Sequence, residues 1–123
     1  MSRIALLPLD ERPVNTRYPR MLAAIAGAEV LLPPAAALGS GREPADLPVV
    51  ADWLREAAAG ADGVVASAEF LAWGNLVNSR ISDASALEGL GRLALLDAVG
   101  ASGTPLYAFS LVTRVSNADD CVA

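Results

Sequence analysis

Apolar positions along this 123-residue chain fall into two rhythms that take turns. Residues 3–9, 29–32, 63–68 and 105–112 are short, nearly unbroken apolar runs. A strand covered on both faces needs such a run, because neither set of alternating side chains meets water. Between the runs, apolar residues recur every three to four positions, the period of one helix face. Met21, Leu22 and Ile25 set the inner face of a helix near 16–26, with Thr16 as its N-cap, Pro19 in its first turn and Gly27 at its left-handed end. Asp46 caps a second helix near 46–59. Pro48 sits in its first turn, Val49, Val50, Trp53, Leu54 and Ala57 recur at helical spacing, and Gly60 closes it. A third helix, near 84–99, opens on the capping box Ser85-Ala86-Leu87-Glu88, carries the stripe Leu87, Leu90, Ala94 and Ala98, and stops near Gly100. Residues 35–44 and 69–75 read as loops.

Strands alternating with helices imply an α/β fold with a parallel sheet and right-handed crossovers. The βαβαβαβ unit suits the first half of a (βα)8-type barrel, and an open flavodoxin- or Rossmann-like three-layer sheet is the alternative. Little sequence follows strand four, and none of it has the length of a covering helix. The whole of 1–123 is therefore expected to be a single α/β unit, an N-terminal fragment of a longer domain. Unpaired strand edges invite association. The expected partner is the remainder of the parent chain, or another copy reached through the open sheet edges, and the chain alone is expected to be marginally stable.

Composition narrows the chemistry. Hydrophobic residues make up 54% of the chain and mean hydropathy is +0.41, but alanine supplies much of both and buries little area per residue. Core strength must come from Leu, Ile and Val, at roughly 25 cal/mol per Å² of apolar surface buried. Net charge is −5, with nine basic residues, all arginine. That balance argues against nucleic acid, which is held by clustered positive charge. With no histidine and one cysteine, Cys121, the chain holds no Ser-His-Asp or Cys-His arrangement, no Cys/His zinc site and no internal disulfide. The few apolar residues before Asp10 and Glu11 are too short for a signal peptide. Residues 21–38 are interrupted by Glu29 and Pro33-Pro34, so they form no membrane span. A cytoplasmic location is the default, and nothing calls for a cofactor. Asp10-Glu11 with Asp119-Asp120 offers oxygen ligands to a cation, but adjacent residues rarely face one ion, and no metal is expected. Gly39-Ser40-Gly41-Arg42 lacks the spacing of a phosphate-binding loop.

The strand ends carry the polar chemistry. Asp10, Glu11, Arg12 and Asn15 follow strand one; Glu69, Trp73 and Asn75 follow strand three; Arg114, Ser116 and Asn117 follow strand four. Ligands of open parallel sheets gather outside the carboxyl ends of the strands. Asp10 and Glu69 are the candidate catalytic pair, dividing acid and base roles or acting as nucleophile and acid on a glycosidic bond. Arg12 and Arg114 suit carboxylate or phosphate groups through bidentate, permanently charged donors. Trp73 can stack on a sugar face, and Glu11, Asn15, Asn75 and Asn117 can serve hydroxyls. The expected function is a hydrolase-like enzyme acting on a small polar, sugar-like substrate; the competing class is a noncatalytic ligand-binding or interaction module. In an architectural alternative, Asp10 caps a turn, Glu69 pairs with Arg12 or Arg114, and Trp73 covers the core.

Three segments carry a resemblance: residues 4–15, reading Ile4-Ala5-Leu6-Leu7-Pro8-Leu9-Asp10-Glu11-Arg12-Pro13-Val14-Asn15, then Glu29-Val30-Leu31-Leu32-Pro33-Pro34, and Asn78-Ser79-Arg80-Ile81. Together with Tyr107-Ala108-Phe109 leading to Arg114 and Asn117, they resemble the N-terminal part of the bacterial DUF4127 family. Members of that family are several times longer, which implies a fragment, and the family brings an identity without a reaction. After strand three the family commonly reads Ser-Leu-Asp-Met-Leu-Ala-Tyr-Gly-Gly-Leu. Here Glu69 stands in place of the aspartate and Asn75 in place of a glycine.

Overall fold

Ile4-Ala5-Leu6-Leu7 forms the interior of the strand around which the rest is arranged. In the computed structural model, which describes residues 1–112, β1 (Ser2–Leu7) pairs in parallel with β2 (Ala28–Leu31) on one side and β3 (Gly63–Ser67) on the other. A fourth parallel strand, β4 (Leu106–Phe109), lies beyond β3, giving the order β2-β1-β3-β4. The expected parallel α/β unit is present. Its strand order is the open, doubly wound one; in a barrel each strand would lie beside its successor, whereas here β1 sits between β2 and β3. The chain reverses direction across the sheet after β2, so right-handed crossovers put the first helix on one face and the later ones on the other.

The helices are α1 (Arg17–Ile25), α2 (Leu47–Gly60), α3 (Ala68–Trp73), α4 (Asn78–Ile81) and α5 (Ala86–Ala101), with a 3-10 turn at Ala35–Ala37. Local chemistry sets most of the starts. Asp46 accepts from the Val49 amide, and Ser85 and Glu88 close the expected capping box. Thr16 makes no such cap, because its hydroxyl donates backward to the Arg12 carbonyl instead. Residues 68–73, expected as the last strand residue and the loop after it, are helical: Ser67 accepts from the Phe70 amide at 3.2 Å, and Gly74 ends the turn at φ +103°. Only glycine suits Gly74, since a Cβ there would also stand 2.8 Å from Pro44.

One face of the sheet holds the core. Ala5, Leu7, Val64 and Ala66 are fully buried against Val50 and Leu54 of α2, Phe70 and Leu71 of α3, and Leu96 and Val99 of α5. Two helix faces differ from expectation. The inner side of α5 is Gly89, Leu96 and Val99, while Leu87, Leu90, Ala94 and Ala98 are exposed. Apolar residues lie on more than one side of so leucine- and alanine-rich a helix, and contact with α3 selects the inner one. Likewise α1 buries none of its residues, and Met21, Leu22 and Ile25 face outward. No described helix is long and apolar enough to cross a membrane.

Candidate functional site

Because all four strands are parallel, the segments after β1 and β3 leave neighbouring strands at the same edge. The β1 segment folds into a tight turn around Asp10. Its carboxylate is buried and accepts from the Arg12 amide at 3.1 Å, the Arg12 Nε at 2.9 Å and the Asn15 Nδ2 at 2.7 Å. Burial by itself would raise the pKa of this carboxyl. The donated hydrogen bonds of Arg12 and Asn15, with the charge of Arg12, outweigh it and hold the group below its usual 3.8. Asp10 is thus an ionised acceptor at neutral pH, and the same contact raises the Arg12 pKa further. Arg12 is exposed, and its two terminal nitrogens have no partner among the described residues.

Glu11 points the other way and accepts from the Gly41 amide at 3.1 Å, tying the β1 turn to residues 39–45. Asn75 holds the far side of the same segment. Its Nδ2 donates to the carbonyls of Gly41 and Glu43, both at 3.1 Å, while its Oδ1 accepts from the amide and side chain of Asn78 at 2.8 and 2.9 Å. Those four bonds use the whole capacity of a primary amide. Asn78 adds a bond to the Arg42 carbonyl. This asparagine pair is buried, and it clasps a loop more than thirty residues away in sequence.

Glu69 lies in the first turn of α3, buried, with Oε2 accepting from the Ser110 hydroxyl at 2.8 Å and Oε1 from the Leu111 amide at 3.0 Å. It therefore fastens the end of β4, and among the described residues its hydrogen-bond partners are Ser110 and Leu111 rather than an arginine. Beside it opens a cavity of about 320 Å³, whose wall includes Glu69, Trp73, Gly89, Leu93 and Ser110. Trp73 lies across Gly89 of α5, where a Cβ would stand 2.8 Å from the indole ring. The contact requires glycine at 89 and fixes the ring as one side of the cavity. On its other side is a wider cleft of about 940 Å³ bordered by Asp46, Asn78, Glu88 and Arg92. Arg92 donates to the Ala72 carbonyl, a cation at the C-terminal end of α3.

The candidate residues thus fall into two groups on one edge. Asp10, Glu11, Arg12 and Asn15 gather with the clasped loop and Asn75, while Glu69 and Trp73 share the cavity with Ser110. Among the described residues, no hydrogen-bond partner is common to Asp10 and Glu69. Arg114, Ser116 and Asn117, with Asp119, Asp120 and Cys121, lie outside the described residues. No cluster of three potential metal-ligating side chains occurs among those described. Sequence reasoning missed Ser110, Asn78, Gly89 and Arg92. Ser110 had a signal, since it follows an apolar strand at the same edge, as Asp10 does; Gly89 and Arg92 had none, because their roles depend on how α5 lies against α3.

Compared with known proteins, the chain matches over residues 4–121 a family model described as "Protein of unknown function (DUF4127)". No curated protein matches, and no solved structure matches.

Proposed function

The chain belongs to the DUF4127 family, and we propose that it is a hydrolase-like enzyme whose cavity beside α3 takes a small polar, sugar-like substrate, with Glu69 as its acid–base group. The observation that carries this reading is a buried carboxylate in the wall of a cavity of about 320 Å³ that also contains an indole face and a hydroxyl. Ligand pockets of roughly 300–1,000 Å³ combine an apolar lining with a few fixed polar groups in this way. Trp73 offers the flat surface on which a sugar ring stacks. Ser110 holds Glu69 by an O–H bond that can rotate toward a ligand hydroxyl, leaving the carboxylate to accept a proton from water or substrate. An ionised carboxylate with three donors already in place does not donate a proton near neutral pH, so Asp10 orients Arg12, and Arg12 presents its terminal nitrogens to an anionic or hydroxyl group.

A second reading has its own support. The capacity of Asn75 is filled from within the protein, and so are three acceptor positions on Asp10. Such saturation suits a rigid binding module as well as an enzyme. Glu69→Gln separates the two. It keeps the shape of the cavity and removes the carboxylate, so an enzyme loses about 10²–10⁴-fold in turnover of its glycoside while thermal-shift binding persists. Unchanged turnover of every glycoside that wild-type protein cleaves would refute acid–base catalysis by Glu69. Ligand binding with no turnover by either form would assign the site to the noncatalytic class.

A further inference from the structure

We propose that the sheet face opposite the core, together with the exposed stripe of α1, is a surface on which a second copy of this chain docks about a two-fold axis. The floor of this surface follows from strand register. Leu6, Val65 and Tyr107 are lateral neighbours across β1, β3 and β4, on the face opposite Ala5, Val64 and Leu106. Cover on that face declines from one side to the other. Val30 of β2 is buried beneath α1, Leu6 and Val65 are half-buried, and Tyr107 is 69% exposed, with Phe109 exposed on the same side.

The wall is α1. Its apolar residues Tyr18, Met21, Leu22 and Ile25 stand at i, i+3, i+4 and i+7, one helix stripe, yet they are 53–84% exposed. Their direction can be read from the opposite side of the helix. Arg20 and Ala24 border the cleft along the outer edge of β2, and at roughly 100° per residue Tyr18, Leu22 and Ile25 point away from that edge, over the uncovered floor.

A second copy fits this surface better than an arbitrary partner because each copy carries both halves of the contact. What a bare parallel-sheet face lacks is an amphipathic helix, and α1 is one whose apolar stripe is unoccupied. Under a two-fold operation the stripe of each α1 covers the Leu6–Val65–Tyr107 floor of the other, and the contact closes at two. With side-chain surfaces of about 150–250 Å² for the aromatic residues, the exposed floor and wall offer on the order of 800 Å² per copy. That is the share each partner contributes to a stable interface. None of these floor and stripe residues is charged, so the net −5 of each chain does not oppose the contact at its centre.

Sedimentation equilibrium of the 123-residue chain reads the outcome, with Leu22→Asp on the wall and Tyr107→Asp on the floor as two independent variants. The expected result is a dimer that each substitution weakens by at least about thirtyfold, the loss typical of an anchoring residue, with unchanged far-UV circular dichroism. A photoreactive phenylalanine at position 107, which leaves the fold intact, should cross-link to the 17–25 peptide of an isotopically labelled second copy. A monomeric wild-type chain overturns the proposal. So does a dimer that survives Leu22→Asp, because pairing through the β4 edge would sense Tyr107 and ignore α1. Open-ended assembly, or cross-links elsewhere, would equally refute the two-fold contact.

Discussion

The two faces of the sheet are built from the same strands and end in opposite conditions. Ala5, Leu7, Val64 and Ala66 are sealed beneath α2, α3 and α5, while Leu6, Val65 and Tyr107, one residue away along each strand, lie half-covered or open. Side-chain size runs against burial here. Alanines occupy half of those closed-face positions, and a tyrosine stands at the open one. The closed face tolerates alanine because α3 supplies the bulk: Phe70 and Leu71 reach into the layer the strands leave thin. Among the described residues, the packing that stabilises the fold therefore resides in the closed layer.

That asymmetry fails most visibly if the closed face can be thinned without loss. Phe70→Ala is expected to lower unfolding free energy by about 3–5 kcal/mol, measured by urea denaturation; a loss below about 1 kcal/mol would mean that the faces contribute alike. Next in size is the clasp at the edge both faces share. Asn75→Ala leaves the Gly41 carbonyl and the Asn78 amide without the partners they have here, and removes one of two bonds from the Glu43 carbonyl and from the Asn78 side chain, at about 2–3 kcal/mol. Limited proteolysis should then cut within residues 39–45 before the rest of the chain, and a cut in α5 instead would count against the clasp.

Acid separates the β1 turn from both layers. The folded pKa of Asp10 lies below its ordinary 3.8, so the stability it contributes is fully present above about pH 3.8 and is lost as pH falls through the lower, folded value. Asp10→Asn should cost about 1–2 kcal/mol at pH 7, and its unfolding curve should converge on wild type as pH falls below 3.8. Curves that stay parallel down to the acid transition would remove Asp10 from that account. The smallest effect belongs to the open face. Tyr107→Ser should change the unfolding free energy of the monomer by no more than about 0.5 kcal/mol, read at concentrations below the dimer dissociation constant. A loss comparable to that of Phe70→Ala would show that Tyr107 packs within its own chain.

Much of this architecture is legible in the chain. The four apolar runs place the strands to within a few residues, and Asp46, Ser85 and Glu88 mark helix starts because a cap acts within one turn of its own backbone. The alternation of strands and helices is enough for a parallel sheet. Legibility fails where a choice depends on distant contacts. For α1, the stripe at Met21, Leu22 and Ile25 identifies a helix correctly but not what it faces, since amphipathic spacing says only that one side avoids water. For residues 68–73, the run Glu69-Phe70-Leu71-Ala72-Trp73 is too short for periodicity to speak, and a single hydroxyl, that of Ser67, starts the turn.

The candidate site divides in the same way. That polar residues would cluster beyond β1 and β3 follows from chain order, because parallel strands place their carboxyl ends together. Which of them stay free for chemistry was decided by the tertiary structure alone. Asp10 accepts from neighbours two and five residues away and Asn75 is filled by carbonyls more than thirty residues back, while Glu69 is held by Ser110 and Leu111, more than forty residues ahead, through only two of a carboxylate's roughly four acceptor positions. A side chain has a fixed number of donors and acceptors that the residue type declares. Which groups fill them depends on how helices pack and loops close, and the strand order that brings those partners within three ångströms is a property of the whole fold.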